Sequence, residues 1–175
     1  FKGNEVKIAS DGEILVKGEN VMLGYWNNEE ETNKVLKDGW LHTGDIGIFE
    51  NGYLKITDRK KDILITPGGD NISPVKIENE LSNSKFIDQS IVYGDNKPYL
   101  VALIVLSEDN INVTNDQIQK EIEIINKNLA RIENIKKFFI INEKFSIENG
   151  MLTPTLKLKR YKIVQKYKNE FEKLY

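Results

Sequence analysis

Five consecutive charged residues, Asp58-Arg59-Lys60-Lys61-Asp62, divide the chain into halves that read differently. Such a run favours an exposed linker between two folded parts. We place a boundary at Lys61, which gives expected domains of residues 1–60 and 61–175. Before the run, Asp11-Gly12, Gly44-Asp45 and Asn51-Gly52 interrupt apolar stretches at short spacing. That is the signature of antiparallel hairpins. Residues 6–8, 13–18, 40–43, 46–49 and 53–57 read as strands. One helix intervenes: Asn28 caps it, Glu29, Glu30 and Glu31 fill its first turn, Lys34 and Lys37 sit late, and Gly39 stops it. This charge order suits the helix dipole and asks for no functional reading.

After the run the pattern becomes mixed. Residues 63–65 form a short strand that Pro67-Gly68-Gly69 turns back toward Asn71-Ile72. Ser73-Pro74 starts a helix, with Ser as N-cap and Pro at the first helical position. Residues 87–93 and 99–106 are strands joined around Gly94-Asp95-Asn96. The second is almost wholly apolar, as expected of a central strand buried on both faces. Thr114 and Gln117 fit a capping box. Ile118, Ile122, Ile125, Leu129 and Ile132 then follow at helical spacing and predict a helix packed on the sheet. Residues 138–141 read as a strand, 142–149 as a polar loop, and the tail from Arg160 as a helix with Ile163, Tyr167, Phe171 and Leu174 on one side. The fold class expected is α+β.

Composition removes several chemistries. With 25 basic and 27 acidic residues the net charge is near zero, which argues against a nucleic-acid partner bound by bulk electrostatics. There is no cysteine, so disulfides, thiolate zinc sites and a cysteine nucleophile are excluded. One histidine, His42, offers neither a metal cluster nor a Ser-His-Asp triad and reads as structural. No metal site is expected in these residues. No apolar run approaches the roughly 18 residues of a spanning helix. The start carries no signal-peptide pattern.

The residues from Gly39 to Pro74 hold the chemistry that remains: a turn carboxylate, Asp45; a guanidinium, Arg59; and a flexible pair, Gly68-Gly69. A carboxylate and a guanidinium can both hydrogen-bond a ribose diol. Glycines let backbone pass close to a ligand or bend sharply. Each piece also has a plain reading. Asp45 could cap its own turn, Ile56 could pack in a core, and the charges could be a solvated face.

The order of the pieces resembles the ribose-binding and hinge motifs of AMP-forming acyl-CoA synthetases of the adenylate-forming superfamily. Gly12-Glu13-Ile14-Leu15-Val16-Lys17-Gly18 and Met22-Leu23-Gly24-Tyr25-Trp26 are similar to the segment leading into those motifs. Asn149-Gly150-Met151-Leu152-Thr153-Pro154-Thr155-Leu156-Lys157-Leu158-Lys159-Arg160 resembles the lysine motif of long-chain fatty acyl-CoA synthetases. Ile65-Thr66-Pro67-Gly68-Gly69-Asp70-Asn71-Ile72-Ser73-Pro74 is most similar to their bubblegum-type branch, against which the stretch around residues 107–115 looks short. Together the motifs cover nearly the whole chain.

The resemblance implies a C-terminal piece of a larger protein. It would hold the end of a large domain's β-barrel, a hinge, and a small α/β domain with a short sheet and about three helices. It implies a long-chain fatty acid–CoA ligase working through an acyl-adenylate, with fatty acid, ATP and coenzyme A as substrates. Lys157 is then the lysine that bridges carboxylate and α-phosphate; Lys159, two residues on, could serve instead. Asp45 and Arg59 fall to the ribose hydroxyls of ATP/AMP and Ile56 to the adenine face. Lys61 takes the hinge position, and Gly68 and Gly69 line the path of the pantetheine arm. Many superfamily members place Gly before the lysine; here it is Leu156, as in long-chain enzymes. The resemblance assigns Mg2+ and the triphosphate to an upstream domain, because no Gly/Ser/Thr-rich phosphate loop stands in this sequence. These residues alone are therefore expected to be inactive. The expected location is cytoplasmic, or peripheral to an intracellular membrane with surface contact by the longer protein. Two other readings stand beside this one. One is an adenylate-forming enzyme that passes the acyl group to a carrier protein, or oxidises it. The other is a non-catalytic binding module with the same fold.

Overall fold

The computed structural model describes residues 2–110 and 112–175. The chain forms two compact units, Phe1–Asp62 and Ile63–Tyr175. The first contains β1 (Glu5–Ile8), β2 (Glu13–Lys17), α1 (Glu29–Val35), β3 (Leu36–Lys37), β4 (Trp40–Glu50) and β5 (Tyr53–Arg59). Every pairing in it is antiparallel. β4 is the spine: β2 lies along one edge, and β3 and then β5 share the other.

Residues 40–43 and 46–49, expected as two strands, are one strand that bends. Its register shifts at Ile46/Gly47 against β5, and β2 shifts opposite it at Glu13/Leu15. The bend draws neighbouring strands close to Gly47. A Cβ there would lie 2.6 Å from the Lys55 carbonyl oxygen and 2.7 Å from Ile14 Cδ1, so only glycine fits.

Helix α1 is capped by Asn28, whose side chain accepts from the Glu31 N–H at 3.1 Å. It ends at Val35 rather than running to Gly39. Leu36–Lys37 instead pair with Trp40–Leu41 around Asp38-Gly39, both at positive φ (51° and 78°). An Asp-Gly turn of this kind closes a tight hairpin, and its ladder replaces the helix's last turn.

The charged run ends where the two units divide, and Arg59, Lys60 and Lys61 are exposed as expected, but it is regular structure and not an open linker. β5 continues through Arg59, and Asp58 is only 6% exposed. Lys60–Asp62 form a single 3-10 turn. Lys60 Nζ reaches Asp11 at 2.7 Å and Glu13 at 2.9 Å. Opposite charges across the sheet hold the run in place.

The second unit begins with the hairpin β6 (Leu64–Ile65) and β7 (Asn71–Ile72), then α2 (Pro74–Ser82). Ser73 caps α2, accepting from the Lys76 N–H at 3.2 Å. β8 (Ile87–Tyr93), β9 (Leu100–Leu106), α3 (Asn115–Asn126) and β10 (Ile135–Ile141) follow, then α4 (Arg160–Lys166) and α5 (Lys168–Glu172). β9 is central, antiparallel to β8 and parallel to β10.

The period-two pleat divides β9 between two cores. Leu100, Ala102 and Ile104 face Ile77 and Leu81 of α2 and Ile118 and Ile122 of α3. Val101, Leu103 and Val105 face Met151, Leu152, Ile163 and Phe171. The result is helices on both faces of a short mixed sheet, so the central-strand expectation holds. Each fully buried aliphatic side chain contributes about 1.5–3 kcal/mol of transfer free energy.

Two helix expectations change. The stripe of α3 stops before Ile132, which is 49% exposed on a separate 3-10 turn, Arg131–Glu133. The tail helix breaks at Tyr167, whose φ of −102° and ψ of 22° separate α4 from α5. The Thr114–Gln117 capping box is present. Among the described residues no helix is long and apolar enough to cross a membrane.

Candidate functional site

The expected site residues fall in both units: Asp45, Ile56, Arg59 and Lys61 in the first, Gly68, Gly69 and Lys157 in the second. Asp45 lies on β4 and Arg59 on β5 as register partners. Arg59 Nη1 donates to Asp45 Oδ1 at 2.6 Å. The hydrogen bond that Arg59 donates to Asp45, and then the Asp45 charge, raise the Arg59 pKa above its ordinary value. The Asp45 N–H is taken by Thr43 Oγ1 at 3.1 Å. The Asp45 side chain is therefore not spent on capping its own turn. Among the described residues, Asp45 Oδ2 and Arg59 Nη2 make no further hydrogen bond. One acceptor and one donor group thus remain to meet a vicinal diol.

Ile56 is 62% exposed on β5, beyond the bulge that sets Ile46/Gly47 against Asp58/Ile56. It does not pack in the core of this unit, contrary to the expectation of a core residue. An exposed apolar side chain on the strand that carries Arg59 suits a flat aromatic face. Lys61 is exposed in the middle of the 3-10 turn.

Sequence reasoning missed the group that holds this region together. Glu13 is 4% exposed. Its carboxylate lies 3.0 Å from His42 Nδ1 and accepts from the Gly44 N–H at 2.9 Å and from Lys60 Nζ at 2.9 Å. Burial pushes its pKa up; the bonds from His42, Lys60 and Gly44 outweigh that and hold it below the ordinary carboxylate value. Glu13 thus ties the bend before Asp45 to the residue after Arg59. The signal available was a carboxylate at the head of an apolar strand. His42, expected to be structural, meets Glu13 through this contact.

In the second unit, Gly68 and Gly69 form the tip of the β6–β7 hairpin, closed by the Gly69 N–H on the Thr66 carbonyl at 2.9 Å. Gly69 has φ +87°, a left-handed conformation suited to glycine. Gly68 does not need its freedom locally, since a Cβ there would find ordinary contacts of 3.5 Å or more. Beside the hairpin lies an open cleft of about 500 Å³ lined by Pro67, Gly68, Lys97, Tyr99, Arg131 and Lys136, among others. Three cations and a ring around an open cleft suit a phosphorylated, aromatic-bearing ligand. The Lys97 charge is partly answered by Glu172 at 2.7 Å.

The lysine motif is a closed loop. The Thr153 N–H donates to the Lys157 carbonyl at 2.8 Å, and the Lys157 N–H to Thr153 Oγ1 at 3.0 Å. Leu152 and Leu158 bridge below it, and the Lys159 N–H donates to the Met151 carbonyl at 2.8 Å. Leu156 has φ +60°. Glycine would adopt that angle without a steric cost. Lys157 is exposed, whereas Lys159 is half-buried at the cap of α4.

Among the described residues no group of three or more His, Asp or Glu side chains is arranged to hold a metal ion. The two segments that sequence singled out for nucleotide and lysine chemistry are thus each preformed within their own unit.

Residues 61–175 match the AMP-binding enzyme C-terminal domain, and the chain belongs to that family. The chain is 38% identical over 195 aligned residues to the long-chain-fatty-acid–CoA ligase FadD15 of Mycobacterium tuberculosis, covering 99% of this chain and 32% of that protein. It is 37% identical to long-chain-fatty-acid–CoA ligase 5 of Mus musculus, over 98% of this chain and 29% of that one. It thus spans about a third of the length of these curated relatives. The adenylation domain of a carboxylate reductase from Mycobacterium chelonae superposes with a TM-score of 0.85 at 25% identity, over 98% of this chain and 30% of that one. The o-succinylbenzoate coenzyme A synthetase of Bacillus subtilis in complex with AMP gives 0.72 at 31% identity, over 92% and 33%.

Proposed function

We propose that this chain is the C-terminal part of a long-chain fatty acid–CoA ligase, meeting the rest of its enzyme at residues 1–60 and swinging residues 61–175 about Lys61. The observation that carries the reading is similarity to a long-chain ligase along 99% of the chain, at 38% identity. In the first step a fatty-acid carboxylate oxygen attacks the α-phosphorus of ATP. The bond to the β-phosphate bridging oxygen breaks, and pyrophosphate leaves an acyl-adenylate. Lys157 meets the carboxylate and α-phosphate oxygens where negative charge gathers; one such donor supplies about two to three orders of magnitude in rate. Asp45 and Arg59 hold the ribose, and Ile56 lies on the adenine. In the second step the thiol sulfur of coenzyme A attacks the acyl carbon, AMP leaves, and the thiol proton passes to solvent. Gly68 and Gly69 line the pantetheine path, and the cleft with Arg131 and Lys136 takes the phosphorylated end of coenzyme A. Mg2+ and the triphosphate belong to residues outside this chain.

Transfer to a carrier protein is the second reading, supported by the fold shared with the carboxylate reductase domain. The higher identity to coenzyme A ligases favours a free thiol as acceptor. The test is to incubate the longer protein that carries this chain with ATP, Mg2+, a long-chain fatty acid and coenzyme A, reading acyl-CoA by mass. Acyl-CoA and AMP in equal amounts uphold the ligase. Acyl-adenylate that accumulates without thioester overturns it in favour of another acceptor. The 175-residue chain alone should give neither product.

A further inference from the structure

Arg160 closes the lysine motif in sequence, yet the chemistry above leaves it idle. Its guanidinium is 14% exposed and forks. Nη2 donates to Glu78 Oε1 at 2.8 Å and Oε2 at 2.6 Å, and Nη1 donates to the Val92 carbonyl at 3.0 Å. The Val92 N–H donates to Glu78 Oε1 at 2.7 Å. One guanidinium, one carboxylate on α2 and the backbone N–H and C=O of one β8 residue thus form a closed ring. A buried pair of this kind adds little net stability compared with apolar packing. Removing one partner is costly, so the geometry is held tightly.

The ring sits at the foot of the Thr153–Lys157 loop. The outgoing leg is anchored by Met151 and Leu152, buried against β9. The returning leg, Leu158–Lys159, has one bridge to Leu152 and one backbone bond to Met151 before it reaches Arg160. Leu158 is half-exposed and anchors little. Nor does the loop's tip pin itself by side chains to the sheet: Thr153 and Thr155 contact each other at 3.0 Å, and Lys157 pairs with no carboxylate among the described residues. Two bonds between Thr153 and Lys157 make the loop one unit, so the direction of Lys157 depends on how its two legs are held: the outgoing one by Met151 and Leu152, the returning one by Arg160.

We propose that Arg160, held by Glu78 and the Val92 peptide, is a positioning residue for Lys157. This rests on the reading of Lys157 as the adenylation lysine. Glu78 lies on the helix that starts directly after the Gly68-Gly69 hairpin.

The variants are Glu78→Gln and Arg160→Met, with Arg160→Lys as the conservative replacement. Glu78→Gln leaves the loop sequence intact and keeps an acceptor for the Val92 N–H. It serves if Arg160→Met fails to fold, with a thermal melt as the check. In the longer protein, adenylation should lose at least tenfold in kcat, with KM for ATP within twofold of wild type. Acyl transfer from supplied acyl-adenylate to coenzyme A should stay within twofold. Arg160→Lys should recover part of the loss, because lysine reaches Glu78 but lacks the second arm for Val92. Equal losses in the two half-reactions, or unchanged adenylation, overturn the proposal. If the wild-type protein does not adenylate at all, the functional reading fails. Positioning is then decided on the folded 175-residue chain by trypsin. Cleavage after Lys157 at least tenfold faster in Glu78→Gln upholds it, and an unchanged rate overturns it.

Discussion

Asp45 and Arg59 face each other across β4 and β5, and their side chains close to 2.6 Å. The Arg59 side chain is more than half exposed, so the pair contributes little to stability; exposed pairs are worth about 0–1 kcal/mol. Under the proposed function, its value lies in holding the two groups assigned to the ribose at a fixed spacing. Asp45→Asn should shift the urea midpoint only slightly. In the longer protein it should raise KM for ATP by about tenfold, the cost of one charge-assisted hydrogen bond. An ATP KM at the wild-type value would remove Asp45 from the nucleotide site.

Lys157 and Lys159 flank Leu158 at the end of one loop. Lys157→Ala should lower adenylation by about two to three orders of magnitude, the worth of one preorganised donor. Acyl transfer from supplied acyl-adenylate should survive. If Lys159→Ala shows that pattern and Lys157→Ala does not, the roles are exchanged. Leu156→Gly relieves a left-handed angle at a non-glycine residue and should leave the thermal midpoint nearly unchanged, since it also adds freedom to the unfolded chain.

Lys61 occupies the middle of the Lys60–Asp62 turn, with neighbours tied to β2 on one side. Proline there fixes φ near −65° and restricts Lys60 as well. Lys61→Pro should slow thioester formation more than adenylation. Lys61→Ala should leave both within about twofold, because a pivot works through backbone torsions. The comparison is pyrophosphate release against acyl transfer from supplied adenylate. Equal retention of both by Lys61→Pro places the pivot elsewhere.

Glu13 makes stability depend on acid. Its pKa in the folded chain lies below the ordinary value of 4.5, so its bonds stabilise fully above that value. They are lost as pH falls through the lower, folded-state pKa. Glu13→Gln should cost about 1–3 kcal/mol at pH 7 by urea denaturation. The gap to wild type should narrow steadily below about pH 4.5 as the carboxylate takes a proton. A gap that stays constant across that range would show that the charge of Glu13 contributes nothing.

Local signals in the sequence determined much of this protein. The Asp11-Gly12 and Asn51-Gly52 turns, the Asn28, Ser73 and Thr114 caps, and the apolar run of β9 each act within a few residues, and each stands where local chemistry places it. The family was equally legible, because collinear motifs need no folding to be read. What sequence misread were competitions settled at a distance. The helix at Glu29 lost its last turn to the Leu36–Trp40 hairpin, and the charged run was drawn into a strand end and a 3-10 turn whose Arg59 and Lys60 meet Asp45, Asp11 and Glu13. Tertiary structure alone joined Glu13 to Lys60, 47 residues on, and Glu78 to Arg160, 82 residues on. A charge has no period and no local partner in the sequence. Whether it is solvated or buried against its opposite is decided only when the chain brings the two together in a medium too poor in water to keep them apart.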